Sequence, residues 1–272
     1  MQGTTSRKRG RPRGSSSEGG GTVQALDRGL MILNALAKEG EATLTELSMK
    51  VGLPASSVHR LLMTLEKHGF SDFHEESQHW TIGVEAFRVG STFLQRAKVV
   101  EAGREVMRAL LDETGETVNI AIADQGDVVF VSQVETHQPI RAFFRLGTRG
   151  HMHASGIGKA LMAEMSKEQV EQLLVRKGLP EFTPTTITSP DRLFAELAKI
   201  KQQGWALDDE ERTRGMRCVA SAIYNEFGEA IAGVSVSGPT VRMTDNEVAR
   251  VWPKVQSAAA QITELMGGRR KP

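Results

Sequence analysis

Cysteine is nearly absent: Cys218 is alone in 272 residues. A lone thiol excludes an internal disulfide framework and any multi-cysteine zinc site, and it fits a reducing compartment. Long apolar runs are missing too. No stretch approaches the ~18 apolar residues of a membrane span, and the basic, polar N-terminus has no apolar segment behind it. The expectation is a cytoplasmic protein with neither membrane insertion nor secretion. Excess charge of one sign is the third absence, since 34 basic and 33 acidic side chains leave +1. What is present is ordinary: 39% hydrophobic and 25% charged residues supply a core, and the length implies two domains.

The near-zero charge is a cancellation. Residues 1–22 carry Arg7, Lys8, Arg9, Arg11 and Arg13 against Glu18, a net of +4. Residues 23–86 sum to −4, residues 87–268 to −2, and Arg269, Arg270 and Lys271 add +3. The first cluster lies in a stretch so rich in Gly, Ser and charge that a disordered basic arm is expected over 1–22, with a basic tail over 269–272. Within the arm, Gly10-Arg11-Pro12 between Arg9 and Arg13 resembles the AT-hook core, an extended segment that lies in an A·T-rich minor groove. The plainer reading is a solubilising tail or a processing remnant.

Residues 23–84 read as a winged helix-turn-helix. Leu26, Leu30, Leu33 and Ala37 recur at helical spacing before Gly40. Thr43 and Glu46 form a capping box for a second helix carrying Leu44, Leu47 and Val51 and ending at Gly52. After Leu53-Pro54, Ser56 or Ser57 is expected to cap a third helix, with Val58, Leu61, Leu62 and Leu65 inward and Gly69 at its end. Phe70 to Ile82 then reads as a hairpin around Glu75-Glu76-Ser77-Gln78. Off the apolar stripe of the third helix lie Ser56, Ser57, His59, Arg60 and Thr64, the candidate DNA contacts, with Arg60 suited to a base edge or a phosphate. The acidic balance alone would also suit a three-helix interaction module. The histidines show no metal-ligand spacing, so no metal site and no cofactor is assigned.

Glu85 to about Thr114 is one long amphipathic stretch, whose first part (85–100) is read as a linker helix that also carries dimer contacts. Beyond it, residues 101–268 mix elements. Strands are expected at Val118–Ala123, Val128–Val134, Arg141–Leu146, Trp205–Leu207, Arg217–Tyr224 and Ala230–Ser237. Helices are expected near 156–165, 167–177, 190–203 and Thr244–Met266, with a turn at Gly147-Thr148-Arg149-Gly150. The class is α+β, one antiparallel sheet with helices packed on it. His153-Ala154-Ser155-Gly156-Ile157-Gly158-Lys159 opens a helix whose amides could take a carboxylate or phosphate oxygen, or whose glycines are only turn residues. Asp208-Asp209-Glu210-Glu211 is either a site or a solvated loop. Ser235 and Ser237 share one face of a strand. Cys218 is either a small core residue or, beside His153 and Asp208, the nucleophile of a small-acid hydrolase.

Taken together, Gln24-Ala25-Leu26-Asp27-Arg28-Gly29-Leu30, Gly52-Leu53-Pro54, His59-Arg60-Leu61-Leu62, Ser155-Gly156-Ile157-Gly158-Lys159-Ala160, Asp208-Asp209-Glu210-Glu211, Gly215-Met216-Arg217-Cys218 and Ser235-Val236-Ser237-Gly238-Pro239 resemble the IclR family of bacterial transcriptional regulators over residues 24–268. The resemblance implies an N-terminal winged helix, a linker helix and a GAF-like effector domain, working as a dimer or tetramer on a palindromic double-stranded operator. Gly115–Asn119 and Met152–Gly156 look most similar to members sensing glyoxylate, pyruvate or allantoin-derived signals. Carried over, the pocket would use backbone N–H groups at Gly156 and Ile157 with Asp208, Cys218, Ser235 and Ser237, walled by Met216, Ala142 and Gly150. Ile157 is larger, and Ala142 and Gly150 smaller, than the residues expected of glyoxylate sensors, and Phe143-Phe144 replaces small residues. The resulting expectation is a regulator, not an enzyme, whose operator affinity answers to a small carboxylate such as glyoxylate. The alternatives are the Cys218 hydrolase and an effector-independent DNA binder.

Overall fold

The computed structural model describes residues 22–96 and 98–270. The chain divides into two units at Phe93/Leu94. Arg9, Arg11 and Arg13 lie outside the described residues.

The first unit is built from α1 (Gln24–Glu39), β1 (Glu41–Thr43), α2 (Leu44–Val51), α3 (Ala55–Lys67), β2 (Ser71–His74), β3 (His79–Ile82) and the start of α4 (Val84–Arg96). Thr43 caps α2 in the expected box with Glu46, and Gly52 ends that helix in the left-handed region. The cap expected at Ser56 or Ser57 is not formed. Pro54 is the N-cap, and its carbonyl receives the amides of Ser57 and Val58. The helix therefore starts two or three residues earlier than a hydroxyl cap at Ser56 or Ser57 would have placed it. The three strands run antiparallel in the order β1-β3-β2, with Ala42 opposite Trp80. Ile32, Leu36, Leu47, Val58, Leu62 and Trp80 make the core. That corrects the expected inner face of α1: Leu26 and Leu30 are exposed, and Gly29, Ile32 and Leu36 face inward. The helix carries two apolar rows, and periodicity cannot say which is inside.

In the second unit α5 (Lys98–Thr114) leads to β4 (Thr117–Asp124) and β5 (Asp127–Val134), then β6 (Arg149–His151). Helices α6 (Gly156–Met162), α7 (Lys167–Lys177) and α8 (Pro190–Gln203) follow, then β7 (Ala206–Asp209), β8 (Met216–Tyr224), β9 (Ala230–Pro239) and α9 (Asp245–Leu265). All neighbours in the sheet β6-β5-β4-β9-β8-β7 are antiparallel. Period-two alternation sorts the two faces. Val219, Val234 and Val236 pack with Met107, Val255 and Ile262 of α5 and α9. Small residues such as Ala220 and Gly233 face α6, whose Ile157 sits so close that a Cβ on Gly233 would lie 2.7 Å from its Cγ2. Arg141 to Leu146 is not a strand; the third strand is instead Arg149–His151, in the segment expected to turn. Residues 141–146 are held by side chains, with Phe144 stacked on Phe130 at 4.3 Å and Arg141 on Glu135 at 3.0 Å. The stretch read as one over 85–114 is helical on both sides of residue 97, as α4 and α5.

Candidate functional site

On α3 the exposed face presents Ser56, His59, Arg60 and Thr64, with Ser57 half-buried. The Thr64 hydroxyl donates to the Arg60 carbonyl at 2.9 Å, which fixes its rotamer along the helix. No acid occupies the first turn of α3, and the first amides of a helix have no intrahelical acceptor, so that end is suited to anionic oxygens.

The second unit holds a cavity of about 390 Å³. Asp208, Cys218 and Ser237 form its polar end on three consecutive strands, with Cys218 paired to Asp208 on one side and to Ser237 on the other. Ser155, which caps α6 by accepting from the Gly158 amide, lies beside them. Gly156 abuts this end. A Cβ there would meet the Cys218 carbonyl at 3.0 Å and its Sγ at 3.1 Å, so only glycine lets α6 start against β8. Val128, Phe130, Ala142, Phe144 and Gly150 form the other end, and Met216 lines the wall. Ile157 and Ser235 are not in the wall. The Ile157 side chain is buried between α6 and the sheet, and Ser235 is fully buried with no hydrogen-bond partner for its hydroxyl among the described residues.

Four arginines border the cavity. Arg141 pairs with Glu135, Arg149 with Asp124 at 2.7 Å and Asp127 at 3.1 Å, and Arg217 with Asp209 at 2.6 Å and Asp245 at 2.8 Å. Arg212 lies over the Phe182 ring at 3.9 Å instead. Burial pushes the Asp208 carboxyl up to about 6, against the pull of Lys159 and of the Glu211 and Arg212 amides. The Asp208–Glu211 run is no solvated loop. Asp208 accepts the Glu211 amide at 2.8 Å, and Glu211 is buried against Lys159, whose Nζ also donates to the Leu207 carbonyl at 2.6 Å. Thr183 and Thr186 tie down the Glu210 and Glu211 carbonyls at 2.7 Å and 2.6 Å. A buried lysine has no signature in a linear pattern, and neither do the aromatic and arginine walls. Ala142, Gly150, Met216 and the Phe143-Phe144 pair were foreseen there, through the family resemblance.

Nucleophilic chemistry finds no support in this arrangement. Burial, with Asp208 nearby, pushes the Cys218 thiol up to about 11, where a thiolate is scarce. His153 points its Nε2 at the Pro180 carbonyl, 3.0 Å away. Among the described residues, no three His, Cys, Asp or Glu side chains converge as a metal site, and no helix is long and apolar enough to cross a membrane. A larger, more open groove of about 890 Å³ runs past Glu164 and Arg270, but these two already pair with each other at 3.2 Å.

Comparison with known proteins matches residues 25–70 to the IclR helix-turn-helix domain and residues 91–264 to the bacterial transcriptional regulator IclR C-terminal family. The chain is 44% identical over 268 residues to the HTH-type transcriptional regulator BhcR of Paracoccus denitrificans, covering 97% of this chain and 96% of that one. It is 42% identical over 267 residues to the transcriptional repressor IclR of Escherichia coli, covering 97% of each. The crystal structure of the Thermotoga maritima IclR superimposes with a TM-score of 0.77 at 27% identity, covering 90% of this chain and 99% of that one.

Proposed function

The chain belongs to the IclR family and is a DNA-binding transcriptional regulator rather than an enzyme; on that premise we propose that a carboxylate metabolite bound in the 390 Å³ cavity sets its affinity for operator DNA. The observation that carries this reading is the polar end of that cavity. There a thiol, two hydroxyls and a carboxyl that burial raises to about 6 converge, with four arginines bordering the cavity. Such a lining orients a carboxylate without reacting with it. Glyoxylate is the first compound to test, because the resemblance to glyoxylate-sensing members points to an oxo-acid. The first-turn amides of Gly156 and Ile157 would add donors, with Cys218, Ser237 and Asp208 as partners, while Ser235 would act through Cys218.

DNA would be read by α3 through Ser56, Ser57, His59, Arg60 and Thr64, with Arg9, Arg11 and Arg13 of the arm adding minor-groove or phosphate contacts. A palindromic operator calls for a homodimer or tetramer. The exposed apolar side chains of Val23, just before α1, of Leu26 and Leu30 in α1 and of Val84 and Phe87 in α4 suit burial against another copy. Coupling is linkage: an effector preferring one arrangement of the assembly shifts the population whose two α3 helices fit both half-sites. A cytoplasmic location follows from that role.

The test uses a duplex selected by this protein from a random library. Its affinity is measured by fluorescence anisotropy with and without glyoxylate or pyruvate. A change of about fivefold or more at saturating acid is expected. Operator affinity that stays constant while calorimetry shows the acid bound would sink the regulatory reading, and so would a selection that yields no sequence preference.

A further inference from the structure

The polar end accounts for only part of the cavity. Its volume of about 390 Å³ corresponds to about 13 water molecules at ~30 Å³ each. That is well beyond a two-carbon acid and at the lower end of pockets that enclose drug-sized ligands. The lining is also spread across the sheet. Cys218 and Ser237 sit on β8 and β9, whereas Val128 and Phe130 sit on β5 and Gly150 on β6, with β4 between the two groups. Strands repeat every ~4.8 Å, so β5 lies two spacings (~10 Å) from β9 and three (~14 Å) from β8, measured along the sheet. A single C–C bond of about 1.5 Å cannot reach from one group to the other.

The far end is also chemically different. Phe130 and Phe144 stack with centroids 4.3 Å apart and planes 6° from parallel, so the pair presents a flat apolar wall. Space opens beside it because the neighbouring wall positions are Ala142, which is buried, and Gly150, which has no side chain. Gly150 keeps an ordinary negative φ in β6, so it is not there for backbone reasons. A Cβ there would lie 3.3 Å from Val128 Cγ2, so the glycine lets the Val128 side chain form this part of the wall. An apolar space of this kind, next to aromatic faces, favours a flat apolar group.

We propose that the effector is a carboxylate with a flat apolar body, its acid head at Asp208, Cys218 and Ser237 and its body against the Phe130–Phe144 pair between Ala142 and Gly150. The inference rests on the reading of this cavity as a carboxylate site, and it names the class of carboxylate.

Glyoxylate and phenylglyoxylate separate the two ideas, because they share one oxo-acid head and differ by a ring. Binding of each to the full-length protein is measured by calorimetry. Phenylglyoxylate should bind on the order of tenfold to a hundredfold tighter, the range for burying one aromatic ring. In Ala142→Met, which fills the far end, the ratio of phenylglyoxylate to glyoxylate affinity should fall to about one. Phe144→Leu removes the stacked ring at nearly constant volume and should reduce the advantage in the same direction, so the test survives if one variant folds poorly. Glyoxylate binding as tightly as phenylglyoxylate, or tighter, overturns the inference and leaves the carboxylate reading standing. A phenylglyoxylate advantage untouched by both folded variants places the ring elsewhere and also overturns it. Neither acid binding at millimolar concentration, with operator binding intact, overturns the carboxylate reading itself.

Discussion

Asp208 is an acid facing the place where another acid is to bind. Lys159 pulls its carboxyl down and the Glu211 and Arg212 amides donate to it, while Asp209 pushes it up, yet burial outweighs these and places it near 6. A bound carboxylate adds a second negative charge, so binding takes up a proton. The sign follows directly. Below about 6 Asp208 is already neutral and affinity is highest; above it, affinity falls by up to about tenfold per pH unit. Calorimetry with glyoxylate from about pH 5 to about pH 8 should show that slope, and Asp208→Asn should flatten it. An equal slope in the variant would assign the proton to another group. One turn into α6, Lys159 has no solvent exposure, and its nearest counter-charge is Glu211, with Glu196 at 4.0 Å. Lys159→Met leaves that carboxylate buried and alone, at a cost of about 3–5 kcal/mol in urea unfolding. Lys159→Met with Glu211→Leu should recover most of the loss, because a hydrophobic pair of similar volume replaces both charges. A single variant as stable as the parent would mean that the pair contributes nothing. Both residues lie in motifs that the sequence singles out, but nothing in a linear pattern pairs Lys159 with Glu211.

At the scale of elements, α3 carries the test of DNA reading. Arg60 is exposed and makes no contact with the core, so Arg60→Ala should leave stability within about 0.5 kcal/mol of the parent. It should weaken operator binding by about 1–3 kcal/mol if Arg60 reads a base. Anisotropy at matched salt measures the second effect and thermal unfolding the first; unchanged affinity removes Arg60 from the interface. Element identity was largely legible because local chemistry decides it. Thr43 with Glu46 and Thr244 with Glu247 announce helix starts, and both caps form. Legibility failed where a distant partner decides. The α1 rows differ only in what packs on them. Arg141–Leu146 has strand composition, but β5 takes Arg149–His151 as its ladder partner, and the segment meets the sheet through the Phe144–Phe130 stack and the Arg141–Glu135 pair. β1 is three residues long and exists through its pairing with β3. The cavity was legible at its polar end, where small and acidic residues cluster in short motifs. At its apolar end only the family resemblance pointed to Ala142, Gly150 and Phe143-Phe144, and Phe130 was missed because it meets Phe144 only when β5 and the segment before β6 fold together.

For the whole molecule, the near-neutral sum conceals an arrangement in which residues 23–86 are net −4, a poor balance for approaching phosphates. Affinity for a polyanion depends on which charges reach it, and each phosphate neutralised contributes about −0.9 to the slope of log K against log salt. The exposed basic residues of α3 are few, Arg60 and Lys67, so most of any steep slope has to come from the five basic residues of the arm. Deleting residues 1–22 should therefore reduce the magnitude of that slope by up to about 4 in anisotropy titrations from about 50 to 200 mM salt. The sequence preference set by α3 should survive the deletion, because phosphate contacts position a protein without reading bases. A truncated protein with the parental slope would show that the arm makes no phosphate contacts and that the second unit or the basic C-terminus supplies the charge. Loss of slope together with loss of preference for A·T-rich flanks would instead identify Gly10-Arg11-Pro12 and its flanking arginines as minor-groove readers, since only groove-bound arginines register base composition outside the half-sites.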